Sequence, residues 1–371
     1  MSFCTSENPA IAASMAAMRD LVVAHGGQVN PSACIEEQDG NLRVLCGEDS
    51  ATGTPLFRVP NALLVPVDDL SWMPGTGELR LIEDPAGLTA LQQEMLGHFI
   101  AIYNATGKME WMSRHPSMAI REDAALLAEL RRIVPVDHID TRTAAASFLA
   151  TRYYSSSDVP GGLAGKCLLM PLIDFANHGD AGARFDHTEA GLGVAVARTY
   201  ATDECFIRYN GHFDPMELAL SYGYGDPRAP FGASVPLAVA LPLFGRLSVT
   251  ARFHGSDHSS KPPKVEFGDG GVTLSHLVVD TRAPDVARTF LCMALTASGK
   301  RRGIGEAAIA RAIAEAPLAI LAENRTRIAA FQSYLQTRAD LPCAALLAGA
   351  SECQLANLTA ALAPLGTVSA G

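Results

Sequence analysis

The stretch 168–224 constrains the fold more than any other, because its pattern changes several times within a short length. An apolar run over 168–173 stops at Asp174, and two residues later comes the polar pair Asn177-His178, followed directly by Gly179. Residues 192–198 and 204–209 then alternate apolar and polar side chains around a polar turn, which predicts an antiparallel pair of strands. A helix start follows, with Asp214 as N-cap, Pro215 at the first helical position and Glu217 at the third. This short helix is expected to run into Ser221-Tyr222-Gly223-Tyr224, where Gly223 turns the chain and leaves Tyr222 at an end.

The flanking sequence divides into blocks. Residues 11–25 carry apolar side chains at helical spacing and stop at Gly26-Gly27. Over 29–66, short extended runs (33–35, 42–46, 56–59 and 63–65) are separated by Asp39-Gly40, Gly53 with Pro55, and Pro60-Asn61, which predicts a compact β unit. From about residue 74 to 164 the pattern turns helical, with Leu88, Leu91, Met95, Phe99, Ile102 and Tyr103 on one face and further amphipathic stretches over 123–133 and 141–154. Pro227, Pro230 and Pro236 mark a boundary. Beyond them the spacing predicts a hairpin over 265–279, turning at 268–271, and helices from Pro284, over 306–335 and over 354–362.

Composition narrows the function. A chain of 371 residues with 48% hydrophobic and 18% charged residues can bury two or three structural units. A formal net charge of -10 argues against a nonspecific nucleic-acid binder, which needs a basic face to neutralise phosphates. The eight cysteines are scattered without a Cys-x-x-Cys, so neither a zinc site nor a disulfide framework is expected. The histidines, including His178, His187 and His212, lack metal-ligand spacing. Ser298 to Gly305 is glycine-rich and basic but lacks P-loop spacing, and there is no Gly-x-Ser-x-Gly elbow. No apolar run approaches a membrane span and the N-terminus has no basic leader, so a cytoplasmic setting without membrane association is the expectation.

The ordered set Pro171-Leu172-Ile173-Asp174-x-x-Asn177-His178, then Phe206-Ile207-x-Tyr209, then Glu217-Leu218-x-Leu220-Ser221-Tyr222-Gly223-Tyr224 resembles the catalytic half of SET-domain methyltransferases. The resemblance is to the branch of the RuBisCO large-subunit lysine methyltransferase and its actin-histidine relatives. It implies an α+β chain: a SET β-fold split by a helical insertion, followed by a mostly α-helical C-terminal domain. The implied boundaries are 1–75 for the N-terminal half, 76–165 for the insertion, 166–226 for the catalytic half, and 227–371 for a substrate-binding-like domain.

The implied activity is methyl transfer from S-adenosylmethionine to a lysine, or a histidine, of a protein or peptide substrate. By the same resemblance, Tyr222 is the catalytic tyrosine and Tyr209 lines the methyl channel. Asn177, His178 and the stretch Asn41-Leu42-Arg43 contact the cofactor. Arg152, Ser156, Asp174 and Tyr224 contact the target. These residue types suit the chemistry. A lysine of ordinary pKa costs about 4–5 kcal/mol to hold neutral at pH 7, and a desolvated aromatic pocket offsets part of that by penalising the charged amine. Tyrosine rings exclude water and attract a sulfonium, while an asparagine amide offers donor and acceptor to an amino-acid zwitterion. One departure stands out. The family's Gly-x-Gly cofactor loop corresponds here to Gly40-Asn41-Leu42-Arg43-Val44, with a single glycine and the long Arg43 side chain. A catalytically silent SET-fold protein that binds a peptide or partner is therefore the alternative reading.

Overall fold

The computed structural model describes residues 2–47, 50–75, 77–83, 85–134, 143–155, 162–198, 203–209, 213–250 and 262–363. The chain is α+β and forms two compact units that alternate along the sequence. One comprises Met1–Ser113 with Arg142–Tyr209, and the other Arg114–Thr141 with Asn210–Gly371.

The first unit opens with the helix Pro9–Ala24, started by Asn8, whose side chain accepts from Ala10 N, and by Pro9 at the first helical position. Its buried Ile11, Met15, Met18 and Val22 form one apolar stripe, and it packs on the helix Ala90–Ala105. The strands Ala33–Gln38 and Asn41–Cys46 make a hairpin joined by Asp39 and Gly40, at φ 51° and 75°. Two successive positive φ values are the mark of a type I′ turn, which matches the twist of the flanking strands.

A four-stranded sheet orders Gln28–Val29, Pro55–Val59, Gly191–Ala195 and Asp186–Thr188. Its central antiparallel ladder sets Leu192 opposite Val59 and Val194 opposite Phe57, so the two β portions, separated in sequence by the helices between them, are hydrogen-bonded to each other. Beneath them Phe99, Tyr103, Phe148 and Phe175 form a buried aromatic cluster with ring centroids 5.0–6.2 Å apart. This cluster joins Ala90–Ala105, the helix Ala144–Ala150 and the 3-10 turn Ile173–Phe175.

The antiparallel pair expected for 192–198 and 204–209 is reduced to a single bridge, Arg198 to Cys205. The later segment pairs elsewhere. Cys46 N donates to Asp203 O, Cys205 N donates to Val44 O, and Ile207 bridges in parallel to both His178 and Ala183. Alternation marks a strand but does not name its partner, and here the hairpin edge at 44–46 competes successfully with the sequence neighbour.

In the second unit, the helices Pro116–Glu122, Ala124–Leu130 and Pro215–Tyr222 join a core with two small sheets and three long helices, Pro284–Arg301, Glu306–Thr337 and Ala344–Leu362. The predicted hairpin forms as Val265–Gly268 against Gly271–Leu274, and the second of these strands also pairs in parallel with Gly245–Val249. The last helix begins earlier than its apolar spacing indicates, because Leu347, Ala350 and Ser351 are buried in its alanine-rich first half. No helix among the described residues is long and apolar enough to cross a membrane.

Candidate functional site

In the first unit, a tight loop and a threaded segment bring distant residues together. The segment 177–183 curls so that both of its ends bond the same short stretch. Ile207 N donates to Asn177 O at 2.9 Å, Ala183 N to Phe206 O at 3.0 Å and Arg208 N to Ala183 O at 2.8 Å. The close approach requires Gly182, where a Cβ would lie 2.7 Å from the Ile207 carbonyl carbon and 2.8 Å from Gly179 O. At the head of this curl, the exposed Asn177 donates from Nδ2 to Leu42 O at 3.2 Å and to Glu204 Oε1 at 2.8 Å. Both amide protons are thereby engaged, while Oδ1 has no hydrogen bond among the described residues.

Tyr209 is anchored at both ends. Its backbone N donates to His178 Nδ1 at 3.1 Å, and its hydroxyl donates to Ala176 O at 3.0 Å, with the His178 and Tyr209 rings 5.2 Å apart. Burial pushes the phenol up to about 12; Arg152 opposes this, and Asp174 and Glu204 add to it. The group therefore stays a protonated donor at any physiological pH.

Asp174 sits in Ile173–Phe175, directly after a strained bend. Leu172 has φ 64° and ψ -41°, and Ile173 N reaches back to Pro171 O at 2.7 Å. That is a γ-turn of the rare strained kind, held at a leucine whose side chain is fully buried. Asp174 is 4% exposed and its Oδ2 has no partner among the described residues. Desolvation holds its carboxyl well above the usual carboxylate range, which favours the uncharged acid.

Arg152 lies just past the helix Ala144–Ala150. Its guanidinium packs over Tyr103 and Phe148, at 5.8 and 5.4 Å from the ring centroids, and Nη1 donates to Asp174 O at 3.5 Å. The side chain as a whole is half-buried, but Nε is shielded and has no partner among the described residues. Lys108, at the start of Lys108–Trp111, is held down to about 7 by burial and by Arg152. Arg152 thus bonds the Asp174 main chain and acts electrostatically on both Tyr209 and Lys108.

The stretch Asn41-Leu42-Arg43 follows the hairpin turn. Leu42 is buried and offers its carbonyl to Asn177, whereas Asn41 and Arg43 are exposed. Arg43 stands opposite Glu36 in the ladder and forms an ion pair with it, so the long side chain is held on the exposed face of the hairpin. Ser156 lies outside the described residues.

Tyr222 and Tyr224 belong to the second unit. The helix Pro215–Tyr222 starts in a full capping box: Glu217 N donates to Asp214 Oδ1 at 2.8 Å and Asp214 N to Glu217 Oε2 at 3.0 Å. Both carboxyls are pushed up by burial, Asp214 to about 6 and Glu217 well above its usual range. The helix stops at Gly223, φ 69°, whose N donates to Ala219 O. Tyr222, half-buried, packs edge-on to Phe213 at 5.5 Å and lies 6.4 Å from Tyr224.

Lys108 is missing from the residues read from sequence, and no local signal points to it. Among the described residues, no group of three His, Cys, Asp or Glu side chains is placed to hold a metal ion.

Solved structures similar to this chain include the SET domain of LSMT bound to lysine and AdoHcy, with 11% identity over 95% of this chain and 91% of that one, at a TM-score of 0.42. Rubisco LSMT bound to sinefungin and monomethyllysine is similar at 12% identity over 95% and 90% of the two chains, also at a TM-score of 0.42. No family model and no curated protein matches the chain.

Proposed function

We propose that the chain is an S-adenosylmethionine-dependent protein methyltransferase that acts on a lysine side chain. The Asn177 amide carries this reading. It ties Leu42 and Glu204 to the Asn177-His178 pair, so that one amide joins the two stretches, 41–43 and 177–178, that the SET resemblance assigns to the cofactor. With both protons engaged, the exposed amide is left with an acceptor oxygen, which fits the ammonium of an amino-acid group. The donor, when bound, supplies an electrophilic sulfonium methyl.

Asn177 and the His178 main chain would hold the amino-acid end of the donor, next to Asn41, Leu42 and Arg43. Because Glu36 holds Arg43, the loss of the family's second glycine does not by itself obstruct that edge. Tyr209, locked by two hydrogen bonds and kept protonated, excludes water and presents a ring face to a cation. Arg152, the buried Asp174, Ser156 and Tyr224 are the residues we assign to the target side chain. We assign orientation of its amine to Tyr222.

The test is calorimetric titration with S-adenosylmethionine and S-adenosylhomocysteine. Micromolar binding is expected, weakened about tenfold or more in Asn177→Ala, in keeping with loss of a hydrogen bond to a charged group. No binding at millimolar ligand would overturn the reading in favour of a partner-binding protein.

A further inference from the structure

We infer that the chain pairs with a second copy of itself through the helix Pro284–Arg301, packed antiparallel about a two-fold axis at Met293. The helix buries Ala287, Leu291, Ala294, Leu295, Ser298 and Gly299 within its own unit. Its other side carries a second apolar row. Val286 and Met293 are 68% and 67% exposed, Ala297 is exposed and Phe290 is half-buried. At about 100° per residue, Val286 projects within roughly 20° of Met293, Ala297 within roughly 40° and Phe290 within roughly 60°. Apolar side chains exposed singly are ordinary, whereas a row of them along one helix face is the pattern of a contact surface.

Whatever covers this row has to match the charges beside it, and those are arranged symmetrically. Asp285 and Arg301 each stand eight residues from Met293, in opposite directions along the chain. By the same helical spacing they project to opposite sides of the row, each roughly 80° from its midline. A two-fold axis through Met293 exchanges both the ends of the helix and its sides. It therefore sets Asp285 of each copy against Arg301 of the other, roughly 12 Å along the helix from the axis. The helix macrodipole favours an acid in the first turn and a base in the last, but it is indifferent to the side on which they stand. A parallel pair would set Asp285 against Asp285 and Arg301 against Arg301, so the charges select the antiparallel one.

Neither charge is used inside the chain, since neither forms an ion pair among the described residues. The Arg301 guanidinium lies over the exposed Phe267 ring, 5.0 Å from its centroid, an arrangement that steadies its plane and keeps its N–H edge for a carboxylate. The same axis lays the stem of the exposed Lys300 over Val286 of the other copy, with its ammonium in water, and sets Thr289 against Ala297. The row is a strip roughly 16 Å long on one helix. That is well short of the about 1,200 Å² of a stable interface, so the association is weak and depends on concentration.

The test is sedimentation equilibrium of the full chain from about 1 to about 300 µM. The wild type is expected to pass from monomer toward dimer over that range. Asp285→Arg and Arg301→Asp each set like charges together at both ends of the pair, and each alone should stay monomeric. Mixed in equal amounts, these two variants should form dimers again at about the wild-type concentration, because every end then joins opposite charges. That recovery also shows that both variants are folded. Met293→Glu puts two carboxylates at the axis and should abolish association. A wild type that stays monomeric at about 300 µM overturns the inference. So does a dimer that the charge variants and Met293→Glu leave unchanged, or one lost in the two charge variants and not recovered on mixing them.

Discussion

Asp174 is a carboxyl whose surroundings oppose its ionisation. Its carboxyl is buried, follows a strained γ-turn, and is raised well above its ordinary range by desolvation. In the unfolded chain the same group ionises near pH 4. The folded protein thus holds a proton that the unfolded chain has released, and stability falls as pH rises above about 4 toward the raised folded value. Asp174→Asn removes that titration without changing shape. Urea unfolding at a series of pH values should show the wild type losing ground to this variant steadily from pH 4 to pH 7. A constant difference across that range would mean that the carboxylate is accommodated in the fold. Legibility at this scale follows contact range. Asn177, His178 and Tyr209 stand in a short ordered motif and could be named from it. Lys108 is a single residue in helical surroundings, and Arg152, the like charge that bears on it, is remote in sequence. The positive φ of Leu172 gave no sign either, since Pro171-Leu172-Ile173 reads as the end of a strand and only burial holds the bend.

The hairpin Ala33–Gln38 to Asn41–Cys46 shows what one element fixes for the site. Its turn sets the register that places Arg43 opposite Glu36 and leaves the buried Leu42 with a carbonyl for Asn177. Gly40 carries that turn under two constraints, a φ of 75° and a Thr106 carbonyl oxygen 2.4 Å from where a Cβ would stand. Gly53, at φ 91°, has the first constraint but open space around it. Gly53→Ala should therefore cost only the left-handed penalty, about 1–2 kcal/mol. Gly40→Ala should cost more, about 2–4 kcal/mol, because the backbone must also move. Denaturant midpoints at constant slope measure both, and equal losses would mean that the Thr106 contact relaxes freely. The turn was legible because Asp-Gly between alternating runs is a strong local signal. The partner of 204–209 was not, because strand pairing is settled by which edge is free in three dimensions.

At the scale of the whole molecule, two compact units alternate along the sequence. Residues 114–134 lie before the catalytic half in sequence, yet their apolar side chains belong to the core built by the C-terminal portion. Ile120, Leu126 and Leu130 share that core with Met216, Val235, Phe331, Leu335 and Leu347, and Asp123 accepts from Arg338 at 2.7 Å. At ~1.5–3 kcal/mol per buried side chain, the contributions of Ile120, Leu126, Leu130 and Met216 together reach roughly 6–12 kcal/mol. That is comparable to the roughly 5–15 kcal/mol net stability of an entire domain. A fragment ending at residue 226, where the resemblance places the end of the catalytic half, keeps all four side chains and loses most of what covers them. It should expose a contiguous apolar surface, bind a hydrophobic dye strongly and sediment as aggregates, whereas the full chain should not bind the dye. If the fragment instead sediments as one species, melts cooperatively and leaves the dye unbound, residues 114–134 find cover without the C-terminal core, and the second unit is not the cooperative body its packing describes.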